Sequence, residues 1–396
     1  MSRLEELIQQ LCPDGVEYRP LGKIAEIRSG WGFPNKEQGK EQGEIPFYKV
    51  SDMNSAGNEM YMMTANNYID DLTAKRLKCK PAPVGTIIFP KIGAAISTNK
   101  KRILVCHSCY DNNIMGLIAS QGIEYKYLYY LMDSVDLISF ADYSGAMPSI
   151  RKSTMENHYF PVPPLPVQQE IVRILDSFTE LTAELTVELT ARKKQYDYYR
   201  DALLTFEDDT PTCKMGEVLK FLNGRAYKQS ELLGKGKYPV LRVGNFYTND
   251  SWYYSDLELP EDKYCNEGDL LYSWAATLGP KIWRGERCIF HYHIWKILFD
   301  ESVIDKTYLY YYLQHDLSLI SRSTTKSTMI HVSMGSMKER PIKLPSIVEQ
   351  RRIASLISKF DDLSSSITDG LPAEIEARKK QYEYYRDKLL SFKVKT

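Results

Sequence analysis

The sequence lacks the motifs by which most nucleotide- and group-transfer enzymes announce themselves. It has no Asn/Asp-Pro-Pro-Tyr/Phe, the segment with which an amino-methyltransferase holds a flipped adenine. There is no G-x-x-x-x-G-K-[ST] phosphate loop and no G-x-S-x-G elbow. Gly234-Lys235-Gly236-Lys237 lacks the third glycine of a dinucleotide turn and runs into Tyr-Pro rather than a helix. Pro13-Asp14 has no nearby Glu/Asp-x-Lys, so a nuclease metal site is unsupported. Cysteine is sparse, with seven residues in 396, an odd number that fits reduced thiols of a cytoplasmic protein better than a disulfide framework. Cys106-x-x-Cys109 has no second pair at zinc-site spacing, and His291-Tyr292-His293 lacks a carboxylate or thiol companion, so no metal is expected. Met1 is not followed by a long apolar run, and no stretch approaches the ~18 apolar residues of a membrane span. An excess of positive charge is also missing, because 51 Lys+Arg balance 51 Asp+Glu. That sum argues against binding nucleic acid by bulk charge alone.

What is present is a repeat. Residues 191–206 (ARKKQYDYYRDALLTF) and 377–392 (ARKKQYEYYRDKLLSF) agree at 13 of 16 positions, at an offset of 186. Weaker echoes keep the same order: Leu21–Ile24 with Met215–Val218, Ile45–Val50 with Tyr238–Val243, Gly85–Phe89 with Gly268–Tyr272, and Tyr127–Tyr130 with Tyr308–Tyr311. Each half therefore holds a diverged globular domain followed by a well-matched segment, a duplicated scaffold with different surfaces.

The matched segments read as long helices. Ile171, Ile174, Phe178, Leu181 and Leu185 follow the 3,4 spacing of a coiled-coil seam, as do Ile353, Leu356, Phe360, Leu363 and Ile367. Tyr196, Tyr199, Leu203 and Phe206 continue the first, and Tyr382, Tyr385, Leu389 and Phe392 the second. Pro166 suits a first turn, Ser346 with Glu349 resembles a capping box, and Asp369-Gly370-Leu371-Pro372 predicts a break confined to the second helix. Two such rods bury their seams most simply against each other. A short helix, Ser2–Leu11, is capped by Ser2 and Glu5 and halted by Pro13-Asp14-Gly15.

The globular parts read as mixed. Strands are predicted at Ile45–Val50, Thr86–Phe89, Ile103–Cys106, Val240–Val243, Leu270–Trp274 and Ile289–Leu298. Tyr-rich helices follow near 124–140 and 305–321, their tyrosines expected mainly in cores.

Charge is segregated within its zero sum. Residues 75–102 carry eight Lys/Arg and no acid, whereas 250–269 carry seven acids and one base. Lys91, Lys100, Lys101, Arg102, Lys228, Arg242 and Lys281 are candidates to hold phosphates. Asn35, Asn99, Arg225, Tyr227, Asn245 and Arg284 could donate to base edges, with Lys36 beside them. A solvated surface charge is the plain alternative for each.

The order of globular domain, LPVQQEIVRIL…ARKKQYDYYRDALLTF, second domain, and LPSIVEQRRIASLI…ARKKQYEYYRDKLLSF resembles the specificity subunit of a Type I restriction-modification system over essentially the whole chain. The resemblance implies an α+β fold with two pseudo-repeated α/β target recognition domains joined by two long antiparallel coiled-coil helices. Its domains would be 1–160 (recognition domain with the N-terminal helix), 161–208 (central helix), 209–341 (second recognition domain) and 342–396 (C-terminal helix region). Each recognition domain would read one half of an asymmetric bipartite site in double-stranded DNA. The helices would set the spacer and dock two methyltransferase subunits, through the seam and the blocks holding Arg192, Tyr196, Tyr199, Arg378, Tyr382 and Tyr385. No cofactor is expected on this chain; S-adenosylmethionine would sit on the methyltransferase partners, and a motor-nuclease subunit would cleave. The resemblance further implies DNA-facing turns at Gly30-Trp31-Gly32-Phe33 and Gly224–Lys228, and small polar loops at Ser144–Met147 and Ser323–Lys326, which include Thr325. Met147-Pro148 departs from the polar residue usual there. The alternative is a coiled-coil protein scaffold with incidental basic patches, and a self-sufficient modification enzyme is disfavoured by the missing motifs.

Overall fold

The computed structural model describes residues 2–247, 249–323, 332–365 and 370–395, with side chains excepted at 321–323 and 363–365. Thr325, Lys326 and Ile367, and the side chain of Leu363, lie outside the described residues. The chain divides into two units: residues 1–185 with 375–396, and residues 186–374. The division falls inside both rod segments, so each unit combines one globular domain with a stretch of each rod.

In the first unit, five strands lie in the order Ala25–Ser29, Ile114–Ala119, Ile87–Pro90, Arg102–Leu104, Tyr61–Met62. A smaller sheet holds Tyr68–Ile69, Ile45–Tyr48 and Cys109–Tyr110, the last two parallel. A ribbon of Tyr18–Pro20 with Tyr159–Pro161 closes the domain where it meets the helix. The second unit repeats this plan. Lys220–Asn223, Ile294–Leu298, Leu270–Ser273 and Gly279–Ile282 form one sheet, and Tyr253–Ser255, Tyr238–Leu241, Cys288–Phe290 and Tyr264–Cys265 the other. Thr212–Lys214 pairs with Pro341–Lys343 as the closing ribbon.

One strand expectation is corrected. Ile289–Leu298 is not a single strand: Cys288–Phe290 and Ile294–Leu298 belong to different sheets, separated by His291-Tyr292-His293. Asp111-Asn112-Asn113 makes the same crossing in the first unit, between Cys109–Tyr110 and Ile114–Ala119. The apolar run masked the break because residues on both sides of it are buried.

The Tyr-rich helices, Tyr125–Asp133 and Lys306–Ser323, supply core as expected. Tyr127, Tyr130 and Tyr308 are fully buried, each burial contributing about 1.5–3 kcal/mol. Their hydroxyls are all satisfied: Tyr127 donates to Pro161 O and Tyr308 to Lys343 O, while Tyr130 donates to Asp176 on the first rod at 2.6 Å. Tyr311 makes the equivalent bond to Asp361.

The first rod is one helix, Leu165–Leu203; the second is two, Ile347–Ser365 and Leu371–Leu389. Ser346 caps the second through Glu349 N–H at 3.3 Å, and Ser2 with Glu5 forms the capping box of Arg3–Leu11. The strict seam is corrected in part. Ile171, Val172 and Leu175 are buried in the first unit, and Ile353, Ala354 and Ile357 in the second, a broad apolar stripe lying on the globular domain. Ile174 and Leu356 are half-buried, as are Leu181 and Leu185 beyond that footing. Farther along, helix meets helix within each unit through stacked rings: Phe178 on Tyr385 at 5.3 Å, and Tyr199 on Phe360 at 4.9 Å. The start of one rod pairs with the end of the other in both cases, which is antiparallel pairing.

Candidate nucleic-acid interface

Three segments converge in each domain on the residue triplet at the sheet crossing. The first is the glycine turn. Gly30 N–H donates to Ile114 O and Trp31 N–H to Tyr110 O, and Gly224 and Arg225 make the matching bonds to Ile294 O and Phe290 O. A Cβ on Gly30 would lie 1.9 Å from Asp111 O, and one on Gly224 2.3 Å from Phe290 O, so neither position admits a side chain. The second segment follows the inner strand of the small sheet, where Asp111 N–H donates to Tyr48 O and His291 N–H to Leu241 O. Lys49 and Arg242 come next in sequence. The third is the loop after the central strand, with Lys91 N–H on Asn113 O and Trp274 N–H on His293 O. Here Gly93 and Ala276 share a left-handed backbone, φ 73° and 63°; for Ala276 that is a strained conformation held by its surroundings.

The scaffold is common, but the chemistry is not. The first domain places Trp31, Lys49, Lys91, Asp111 and Asn113 where the second places Arg225, Arg242, Trp274, His291 and His293. Asp111 spends its carboxylate on Asn113, whose backbone and side-chain N–H groups it accepts at 3.0 and 3.2 Å. Burial raises its pKa, and burial lowers that of Lys91, which donates to Ser29 Oγ at 3.0 Å. In the second domain Tyr292 lies among imidazoles, 4.4 Å from His291 and 3.9 Å from His293 between ring centres, with Trp274 at 5.0 Å from His293. Burial, then the neighbouring His293 and Arg242 charges, pull the His291 pKa down to about 4, so its imidazole is neutral at pH 7 and can both donate and accept. Arg242, Asn245, His291 and His293 line one cavity.

The remaining sequence candidates divide. Asn35, Lys36, Ser144, Lys228, Arg242 and Arg284 are exposed, and Trp31, Tyr227 and Lys100 half-buried. Several others are occupied by structure, which corrects the expectation. Lys101 is only 2% exposed and donates to Asn99 Oδ1 and Val135 O, so its charge is spent inside the domain. Asn99 adopts a left-handed conformation and also accepts from Leu137 N–H. Arg102 donates to the carbonyls of Lys101 and Met53. Asn245 donates to Asn249 O and Ser251 O, and Lys281 to Phe246 O. Arg225 forms a two-bond pair with Glu231 at 2.8 and 3.0 Å, which raises its pKa. Sequence spacing counts charges but cannot see which of them an inward-facing carbonyl or carboxylate has claimed.

The rod residues sit in matched polar clusters. Tyr382 donates to Asp133 at 2.7 Å beside Arg386, and Tyr196 donates to Gln314 at 2.9 Å. Arg192 pairs with Glu188, and Arg378 donates to Gln381. Tyr198 and Tyr384, equivalent positions of the repeated block, were missed by the seam analysis because they lie off it; they are 69% and 62% exposed. Among the described residues no His/Cys/Asp/Glu group could hold a metal ion, and no helix is long and apolar enough to cross a membrane.

A family model described as the Type I restriction modification DNA specificity domain matches this chain twice, over residues 13–192 and 207–377. The chain belongs to that family. Each match takes in one globular domain and the rod segment that follows it. The Type I restriction enzyme EcoR124I/EcoR124II specificity subunit of Escherichia coli is 31% identical over 99% of this chain and 97% of its own length. Solved structures share the fold at 16% identity. The S subunit from M. genitalium covers 95% of this chain and 96% of its own, with a TM-score of 0.54. A chain from a study of complex assembly and conformational transition of the type I R-M system covers 96% and 98%, with a TM-score of 0.62. In this specificity-family chain, the two sheet crossings are therefore features of two copies of one family domain.

Proposed function

We propose that this chain is the DNA-recognition subunit of a Type I restriction-modification complex, each unit reading one half of an asymmetric bipartite site. The observation that carries this is the pairing of one backbone scaffold with two different surfaces at the sheet crossings. Selection for packing alone would not fill the exposed centre of each crossing with Asn112 in one copy and Tyr292 in the other, whereas reading two different half-sites requires it. The exposed face of the repeated rod block behaves oppositely. Lys193, Lys194 and Tyr198 recur unchanged as Lys379, Lys380 and Tyr384, although all six are exposed and no core demands the identity. Two identical surfaces suit two copies of one partner, the methyltransferase subunit. On this reading the long helices set the spacer, S-adenosylmethionine and adenine methylation belong to those partners, and cleavage belongs to a motor-nuclease subunit.

The test is methylome sequencing of cells that express the chain with its methyltransferase partner. The expected result is adenine methylation at one asymmetric two-part motif. Exchanging residues 20–158 for another recognition domain should replace one half of that motif only. Replacement of both halves, or methylation that ignores the exchange, would refute the assignment.

A further inference from the structure

We infer that Asn112 and Tyr292, equivalent residues at the tips of the two sheet crossings, are base-contacting specificity determinants, one for each half-site. This rests on the DNA-recognition reading above. The backbone of each crossing is pinned on every side. In the first domain Asp111 N–H is held by Tyr48 O, Ile114 N–H by Asp111 O, and Asn113 O by Lys91 N–H. In the second, Tyr292 N–H donates to Arg225 O at 3.1 Å, while Tyr292 O accepts from the Trp274 indole at 2.8 Å. Such a tip loses little conformational freedom on binding, which is what a discriminating contact needs.

Within each triplet the outer two residues are committed. Asp111 and Asn113 bond to each other, and His291 and His293 are half-buried. The central residue is the exposed one: Asn112 in the first domain, and Tyr292, at 38% exposure, in the second. Their chemistry differs in the way two half-sites require. An asparagine amide matches the adenine edge, donating to N7 and accepting from the N6 amino group. A tyrosine on an imidazole platform offers one hydroxyl and a flat apolar edge, suited to a thymine methyl or a single acceptor. Basic groups next to the crossings, Lys49 in the first domain and the exposed Arg242 in the second, can meet the flanking phosphates.

The experiment is adenine-methylome sequencing of Asn112→Ala, Asn112→Ser, Tyr292→Ala and Tyr292→Phe, each expressed with the methyltransferase partner. Asn112 variants should relax a single adenine-containing position of one half-site, with discrimination there falling roughly 10- to 100-fold. Tyr292 variants should relax one position of the other half-site, and the untouched half reports that the chain is folded. An unchanged motif in all four variants would overturn the inference. So would changes in both halves, or loss of all methylation by soluble, folded variants, because the tips would then position the backbone rather than read bases. Absence of any sequence motif with the wild-type chain would instead overturn the DNA-recognition reading itself.

Discussion

Replacing Gln168 with alanine removes three hydrogen bonds from one buried amide. Its Oε1 accepts from Glu124 N–H at 2.9 Å, and its Nε2 donates to Gly122 O at 3.1 Å and Pro163 O at 2.8 Å. The side chain is 1% exposed, so water cannot take over these bonds without opening the domain. At about 1 kcal/mol net per bond, the loss is about 3 kcal/mol before any cavity cost. Gln350 repeats the device in the second unit, accepting from Asp305 N–H at 2.9 Å and donating to Val303 O and Pro345 O at 3.0 and 2.9 Å. Each glutamine fastens the start of a rod to the start of a Tyr-rich helix. Gln168→Ala should therefore speed hydrogen exchange in the 122–133 segment by roughly 100-fold, since about 1.4 kcal/mol is a factor of ten, and leave 303–316 near its wild-type rate. Gln350→Ala should do the converse. Gln168→Glu should be no better than alanine, because a carboxylate keeps the acceptor but turns two donor contacts into repulsion with carbonyl oxygens. Peptide-resolved exchange by mass spectrometry reads all three. An acceleration below about tenfold, or equal acceleration in both units, would refute the reasoning.

Other outcomes are equally specific. Lys101, with its pKa pulled down to about 8 by burial, carries a strained charge in the folded chain below that pH. Between about pH 8 and 10.4 the unfolded chain binds more protons at this site, so stability should rise with pH there, by up to about 3 kcal/mol; denaturant melts of Lys101→Met should lack that component relative to wild type. Glu231→Gln should release Arg225 for phosphate, steepening the salt dependence of duplex binding by about 0.9 in log–log slope, with no change expected if Arg225 lies away from DNA. Lys36→Ala and Lys228→Ala should each weaken binding across all sequences alike and reduce that slope by about 0.9, as fluorescence anisotropy over a salt series would show. Tyr198→Ala with Tyr384→Ala should weaken capture of the methyltransferase partner while circular dichroism and duplex binding stay unchanged; undiminished capture would place docking elsewhere. Deleting residues within 180–190 should alter the spacer of the methylated motif while preserving both half-sites, and an unchanged spacer would reject the ruler role.

The repeat, the helix starts and the helical nature of the rods were legible because they rest on local rules. Ser346 caps its helix, Pro166 sits in a first turn, and in the second rod Gly370 stands outside the helix that starts at Leu371. The apolar footing of each rod was visible as a pattern, but its breadth was not. Val172 and Ala354 became buried because the rod rests on a sheet-bearing domain as well as on another helix. The candidate interface was legible only as composition. Net charge of zero concealed a basic stretch, yet within residues 75–102 Lys101 and Arg102 turned inward while Lys75 and Lys80 remained outside. His291-Tyr292-His293 stood out in the sequence only as an unconvincing metal motif; the structure makes it the crossing between two sheets.

The sequence by itself determined that this protein is a duplicated α+β chain with helical rods, because repeats, caps and apolar periodicity are encoded by neighbours a few residues apart. Only the tertiary structure decided which residues face outward at the sheet crossings. That choice depends on hydrogen bonds between segments 84 and 70 residues apart, Gly30 with Ile114 and Gly224 with Ile294, whose pairing no local pattern records.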